Sequence, residues 1–284
     1  MSRWTNTALS ASSRTQYEKK LTQWVEYTNT PLDELANNPD ASVQKLYASP
    51  RLCQTPTNRH LYLSAMVAYL THVTKGNAAR WKEIQMENNE PLREHYASKE
   101  PTEKQRNKQM EWEQIHRIRV ALPVGTPERL LLTLYTCMEP LRADYYATEI
   151  IPEGGDSTEE NYVEMTIPPR LVVRDFKTKK KYEKIENTLP PDVEEEVRAS
   201  LEKHPRAYLF VGEDKKSPYP RKLFSNWACR TLTRILAQPM TLTVLRHLYI
   251  SQKIKEETPL AEMKEMAKKM GHSREMQRGY EWHE

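Results

Sequence analysis

The chain has 284 residues, 38% of them hydrophobic and 29% charged, with a formal net charge of +4. That length allows two domains, and the apolar share is enough to bury a core, which argues against wholesale disorder. Cys53, Cys137 and Cys229 lie far apart with no C-x-x-C pair, which argues against a disulfide framework or a zinc site and suits a reducing, intracellular setting.

Residues 1–7 lack a basic-then-apolar leader pattern, and the longest apolar run, residues 130–135, is too short to span a bilayer, so no membrane association is expected. Tyr17, Leu21 and Trp24 recur at helical spacing and predict a helix that Pro31 ends. A short helix is expected over residues 42–47. Thr55, Pro56 and Thr57 then open a helix whose apolar stripe is Leu63, Met66, Val67, Leu70 and Val73, closed by Lys75, Gly76 and Asn77. Residues 1–97 therefore read as an all-helical module. The hydrophilic stretch 98–108 reads as a linker, and 109–284 as a second domain.

In that second domain Trp112, Ile115, Ile118 and Leu122 predict a helix stopped by Pro123, and residues 128–137 predict another. The period then changes. Residues 162–167 alternate, 171–176 are β-rich and 184–189 alternate again; the last two flank the basic run 177–182 and read as a hairpin. Helices resume over 192–202, 222–236, 242–255 and 259–270. The fold class is mainly α with a small antiparallel β-sheet, an α+β arrangement.

Three short segments carry the chemistry. Pro140-Leu141-Arg142-Ala143-Asp144 follows a helix; Thr243, Val244, Leu245, Arg246 and His247 lie in another; and Met270-Gly271-His272-Ser273 precedes Tyr280 by a few residues. Taken singly each has a bland reading. Arg142 would be a surface arginine paired with an acid, His272 a capping residue, Tyr280 one of fifteen tyrosines, and a basic turn merely solvated charge.

Taken in order, the two arginines, the histidine and the late tyrosine resemble the active site of the tyrosine recombinases, the lambda-integrase-like family. The nearest local match is Met270-Gly271-His272-Ser273 to that family's Leu-Gly-His-Ser. Three departures stand out. Pro140 replaces a common glycine, Asp144 comes one residue early for the family's acid, and Thr243 replaces the first histidine of His-x-x-Arg. Threonine can hydrogen-bond a phosphate but cannot act as a base near neutral pH. The spacing from His272 to Tyr280 is eight, where nine is more common.

The resemblance implies a helical core-binding domain and a catalytic domain that form a C-shaped clamp on double-stranded DNA. It implies a DNA strand transferase that works through a covalent 3′-phosphotyrosine, with neither metal nor ATP and no other cofactor. Tyr280 would be the nucleophile; Arg142, Arg246 and His272 would hold the phosphate, with Thr243 as a hydrogen-bonding substitute. Lys177 would be the general acid because it ends a strand, with Lys179 and Lys181 as alternatives; Lys179, Lys180 and Lys181, and Arg59 and His60 in the N-terminal module, would contact DNA. His247, one residue from Arg246, would point to another side of its helix in a structural role. Strand exchange implies a homotetramer on DNA from chains that are monomers or weak oligomers when free. The segments are also similar to recombinases of large eukaryotic DNA viruses and related mobile elements. Two other readings remain: a type IB topoisomerase or telomere resolvase with the same chemistry, and a DNA-binding protein with a decayed site.

Overall fold

The structure, a computed structural model, describes residues 4, 9–52, 55–98, 100, 103–107 and 110–281. The chain divides into two compact units, Met1–Ser98 and Lys99–Glu284. No described helix is long and apolar enough to cross a membrane. Cys137 and Cys229 are free thiols, and Cys53 lies outside the described residues.

In the N-terminal unit the described elements are helical. Helix α1 (Ala11–Thr28) starts where the Ser10 hydroxyl accepts from the Ser13 amide, and ends at Asn29 in a left-handed conformation. Two short helices follow, α2 (Leu32–Asn37) and α3 (Pro39–Tyr47). Thr55 caps α4 (Pro56–Tyr69), whose Pro56 occupies the first turn, where its missing amide costs nothing. A π-helical turn, Leu70–Thr74, continues it to left-handed Lys75. Helix α5 (Ala79–Ser98) completes the unit. Helix α4 packs against both α1 and α5. Trp24 and Trp81 meet edge to face at 5.7 Å, over a core that includes Tyr62, Leu63 and Met66. Helices α2 and α5 are not evident from apolar periodicity, because α2 buries only Leu35 and, among the described side chains, the strongly buried apolar residues of α5 are Trp81 and Ile84.

The C-terminal unit begins with a single turn, α6 (Glu103–Arg106), inside the segment expected as linker. Helices α7 (Trp112–Ala121) and α8 (Pro127–Thr136) follow. Every residue from Leu130 to Thr136 is buried, so α8 is the central rod of the main core. The sheet has four strands in the order β1 (Glu149–Pro152), β2 (Asn161–Met165), β3 (Arg170–Val173) and β4 (Ile185–Thr188). β2–β3 and β3–β4 are antiparallel, but β1 lies parallel to β2, Glu149 opposite Tyr162. The α+β class holds with a mixed rather than purely antiparallel sheet. The four residues of β1 show no alternation to give them away.

The β3–β4 connection also differs from a simple basic turn. β3 ends at Val173 because the Asn161 carboxamide oxygen accepts from the amides of Arg174 and Asp175, at 3.0 and 2.8 Å, turning the chain off the ladder. The connection then folds into a short helix, α9 (Lys179–Tyr182). Lys177 therefore sits in an exposed turn, four residues past the strand, and does not end it. Five helices complete the unit: α10 (Pro191–Lys203), α11 (Arg221–Ile235), α12 (Leu242–Lys255), α13 (Leu260–Lys269) and the short α14 (Arg274–Arg278), which Ser273 caps.

Candidate active site

Helix α12 starts at the Thr241 cap, whose hydroxyl accepts from the Val244 amide. Its second turn carries Arg246 and His247, both buried. Arg246 is 1% exposed, an unusual position for a guanidinium unless its donors are used. One terminal nitrogen donates to the Pro140 carbonyl, and the other donates to Nδ1 of His272 at 3.1 Å. Its Nε has no partner among the described residues.

Two pins set the segment that bears Arg142. Arg246 grips Pro140, and the fully buried Tyr135 hydroxyl donates to the Arg142 carbonyl. Leu141 between them is completely buried. Asp144 follows as a buried carboxylate that accepts from Arg221 at 2.5 Å. Burial raises the pKa of Asp144, and the charges of Arg221, Arg142 and Arg246 pull against that rise.

His272 reaches Arg246 through the turn after α13. There the His272 amide donates to the Ala267 carbonyl at 3.0 Å and Gly271 takes φ +68°, a left-handed helix end. A β-carbon on Gly271 would lie 2.7 Å from Ile185 Cδ1 and 3.3 Å from the Phe176 ring, so only glycine lets this turn dock against the sheet. The Thr178 hydroxyl donates to the Gly271 carbonyl at 2.6 Å, tying the β3–β4 connection to the same turn. His272 is buried, and burial, with the charges of Arg246, Arg142 and Arg274, pushes its pKa down to about 3. Because Nδ1 accepts from Arg246, the ring's proton sits on Nε2, which is buried and has no acceptor among the described residues.

Tyr280 follows α14, its amide donating to the Gln277 carbonyl at 2.8 Å. Its ring lies beside His272, with centroids 5.6 Å apart, and the Arg246 guanidinium is 5.0 Å from its centre. Burial acts to raise the pKa of this phenol. The charges of Arg246 and Arg142, and hydrogen bonds from both, outweigh burial and hold it below the usual tyrosine value. Arg142, Arg246, His272 and Tyr280, spread over 139 positions of sequence (280 minus 142, plus one), thus meet at one point.

In fold, the chain is similar to a recombinase and to a phage integrase. The XerA recombinase crystal structure matches with a TM-score of 0.47 and 13% identity, over 97% of this chain and 89% of the other. The integrase from mycobacterium phage Brujita matches with a TM-score of 0.38 and 13% identity, over 96% of this chain and 87% of the other. No family model matches the chain, and no curated protein matches it.

Other residues singled out in the sequence fall at varying removes from this cluster. Thr243 is exposed, one turn before Arg246 on the same side of α12. Lys177 is exposed and makes no ion pair among the described residues, while its neighbour Thr178 holds the Gly271 turn. Lys179 bridges Asp175 at 2.8 Å and Glu160 at 3.2 Å. Lys180 is exposed, and Lys181 lies 5.4 Å from the Tyr182 ring centre. In the N-terminal unit Arg59 lies over the Tyr47 ring at 4.5 Å and His60 Nε2 is 3.2 Å from the Ser64 hydroxyl.

Sequence reasoning missed two participants. Arg221 pairs with Asp144 across 77 positions, which no local pattern signals. His247 does turn away from Arg246 along the helix, yet it contacts Tyr280 directly: Nδ1 lies 2.9 Å from the Tyr280 carbonyl oxygen.

Proposed function

We propose that this chain is a site-specific DNA recombinase or integrase that cleaves and rejoins strands through a 3′-phosphotyrosine. The observation that carries this reading is the meeting of the Tyr280 ring with Arg246 at 5.0 Å and His272 at 5.6 Å, where the charges of Arg246 and Arg142 favour the phenolate. A tyrosine oxygen is a poor nucleophile while protonated, with an ordinary pKa near 10. The same two arginines, fixed as forks that bind oxygens in pairs, suit the charge that builds on a five-coordinate phosphate.

The ionised Tyr280 oxygen attacks phosphorus, and the bond to the 5′ oxygen breaks. That oxygen leaves with a proton from Lys177, giving a free 5′ hydroxyl and a phosphotyrosine on the 3′ side. A 5′ hydroxyl of another strand then attacks phosphorus, giving its proton to the now neutral Lys177 amine, and Tyr280 departs as the phenolate. The bond energy stays in the phosphotyrosine, so the exchange needs no nucleotide hydrolysis. His272 contributes the neutral Nε2–H as a donor to a phosphate oxygen, and Thr243 offers a hydroxyl to the same group.

Double-stranded DNA is the partner on this reading. Exposed Lys180 and Lys181 bind flanking phosphates, Lys179 joins them on leaving its two carboxylates, and Arg59 and His60 serve the N-terminal unit. Exchange between two duplexes requires four active sites, hence a tetramer on DNA.

A nicked suicide substrate tests the reading, because loss of the short 5′-hydroxyl fragment traps the covalent intermediate. Wild-type protein should give a denaturation-resistant adduct on the 3′ side of the break. Tyr280→Phe keeps the ring and should bind DNA without forming one. An adduct in Tyr280→Phe would move the nucleophile elsewhere; no adduct from wild type on its own site would favour a DNA-binding protein without cleavage.

A further inference from the structure

We propose that His247 is a positioning residue that holds Tyr280 in line with the two arginines; the inference rests on Tyr280 being the nucleophile. The contact is specific in its atoms. A carbonyl oxygen can only accept, so the 2.9 Å approach of Nδ1 to the Tyr280 oxygen places a hydrogen on Nδ1. His247 and His272 are therefore opposite tautomers beside one tyrosine. His247 has its ring centroid 4.8 Å from that of Tyr280, and His272 has its centroid at 5.6 Å.

The helix explains why one segment serves two ends. Successive residues on α12 project about 100° apart, so Arg246 and His247 leave the same turn in different directions. Both are buried because the helix is covered on both sides. Arg246 turns to Pro140 and His272, whereas His247 turns to the Tyr280 backbone. The guanidinium and the anchor of the nucleophile thus belong to one rigid turn, and their spacing is set by helix geometry.

Tyr280 needs such an anchor. It follows a five-residue helix, α14, with local support from the Gln277 carbonyl and from the Arg274–Glu281 bridge of 2.7 Å. Neither contact touches its ring. The ring is held by His247, His272, Arg246 and Arg142 and packs on the cluster of Tyr249, Ile250 and Met270; among these described contacts His247 is the one that also holds the backbone. A histidine serves here only while neutral in one tautomer, and burial, which pushes its pKa to about 4, keeps it so.

The test combines two variants with a readout that needs no DNA. His247→Asn places an amide donor where Nδ1–H stood; His247→Phe keeps a ring and removes the donor. The Tyr280 phenol titration, followed by carbon-13 NMR of labelled tyrosine, should return toward 10 in His247→Phe and stay depressed in His247→Asn. With suicide substrate, adduct formation should fall roughly tenfold or more in His247→Phe at about unchanged DNA affinity, and His247→Asn should recover most of it. Nitrogen-15 NMR of the wild-type chain should show the His247 proton on Nδ1, a measurement independent of how well either variant folds. An unshifted Tyr280 titration in His247→Phe, an asparagine variant as impaired as the phenylalanine one, or a proton found on Nε2 would each overturn the proposal. If wild type forms no adduct while the titration still depends on His247, the contact stands and the assignment of Tyr280 as nucleophile fails.

Discussion

Arg246 donates to Nδ1 of His272 at 3.1 Å, and that bond makes His272 a neutral hydrogen-bond donor rather than an acid. A protonated ring could not accept it, and the nearby guanidiniums oppose a second positive charge.

The protonation states of His272 and His247 predict acid sensitivity. Their pKa values fall from an ordinary 6.5 to about 3 and about 4 on folding. The unfolded chain therefore binds their protons first as pH drops. Their contribution is complete above pH 6.5 and declines below it, ending near pH 4 for His247 and pH 3 for His272. Each histidine should add a slope approaching about 1.4 kcal/mol per pH unit inside its window. Urea unfolding of the full chain at pH 7, 6 and 5 measures this, and His272→Gln should remove one histidine's share. An unchanged slope in that variant would mean that His272 is charged in the folded protein.

Tyr280 gives a second pH signature, in the rate. Since attack requires the phenolate, adduct formation at saturating DNA should rise with pH and level off below the usual tyrosine range. Arg142→Ala removes one of the two charges responsible, so the rising limb should move to higher pH. The same change should slow cleavage at neutral pH by roughly 10² to 10³, the usual loss for one transition-state donor. A limb that stays in place would separate Arg142 from the phenol.

Lys177 and Lys179 differ in their commitments. Lys179 is engaged by two carboxylates, whereas Lys177 has none among the described residues. Lys177→Ala should slow cleavage by about 10² to 10⁴, typical of losing a general acid. A substrate with sulfur at the 5′-bridging position needs no proton on its leaving group and should restore most of the rate. Rescue of Lys179→Ala instead would reassign the role to the ion-paired lysine.

Gly271→Ala tests the turn that delivers His272. The added carbon meets Ile185 and Phe176 at a residue already held at φ +68°. A loss of about 1 to 3 kcal/mol in urea unfolding is expected, from overpacking and from backbone strain. Near-wild-type stability would show that the sheet yields easily at this point.

Much of this architecture is legible in the sequence, where local pattern decides. The span of α12 follows from its residues, since Thr241 caps its start and Pro259 follows shortly after its end. The strands β2 to β4 are visible in outline, but the end of β3 is set by Asn161, thirteen positions before Arg174. That is why the site of Lys177 cannot be read locally. Strand β1 is short, parallel and without alternation, and α14 is only five residues long. At the site, the ordered family resemblance nominates Arg142, Arg246, His272 and Tyr280. The contact of His247 escapes because a helical wheel shows direction relative to Arg246 but not what covers each side.

The Thr178–Gly271 hydrogen bond joins two loops that sequence separates by 93 positions. One carries the exposed lysines and the other the histidine. That bond, with Phe176 and Ile185 lying against Gly271, ties the two loops together at one place. On the proposed function, Thr178→Val, which keeps the shape and deletes the hydroxyl, should loosen the brace between the lysine-bearing loop and the imidazole while leaving the lysines in place.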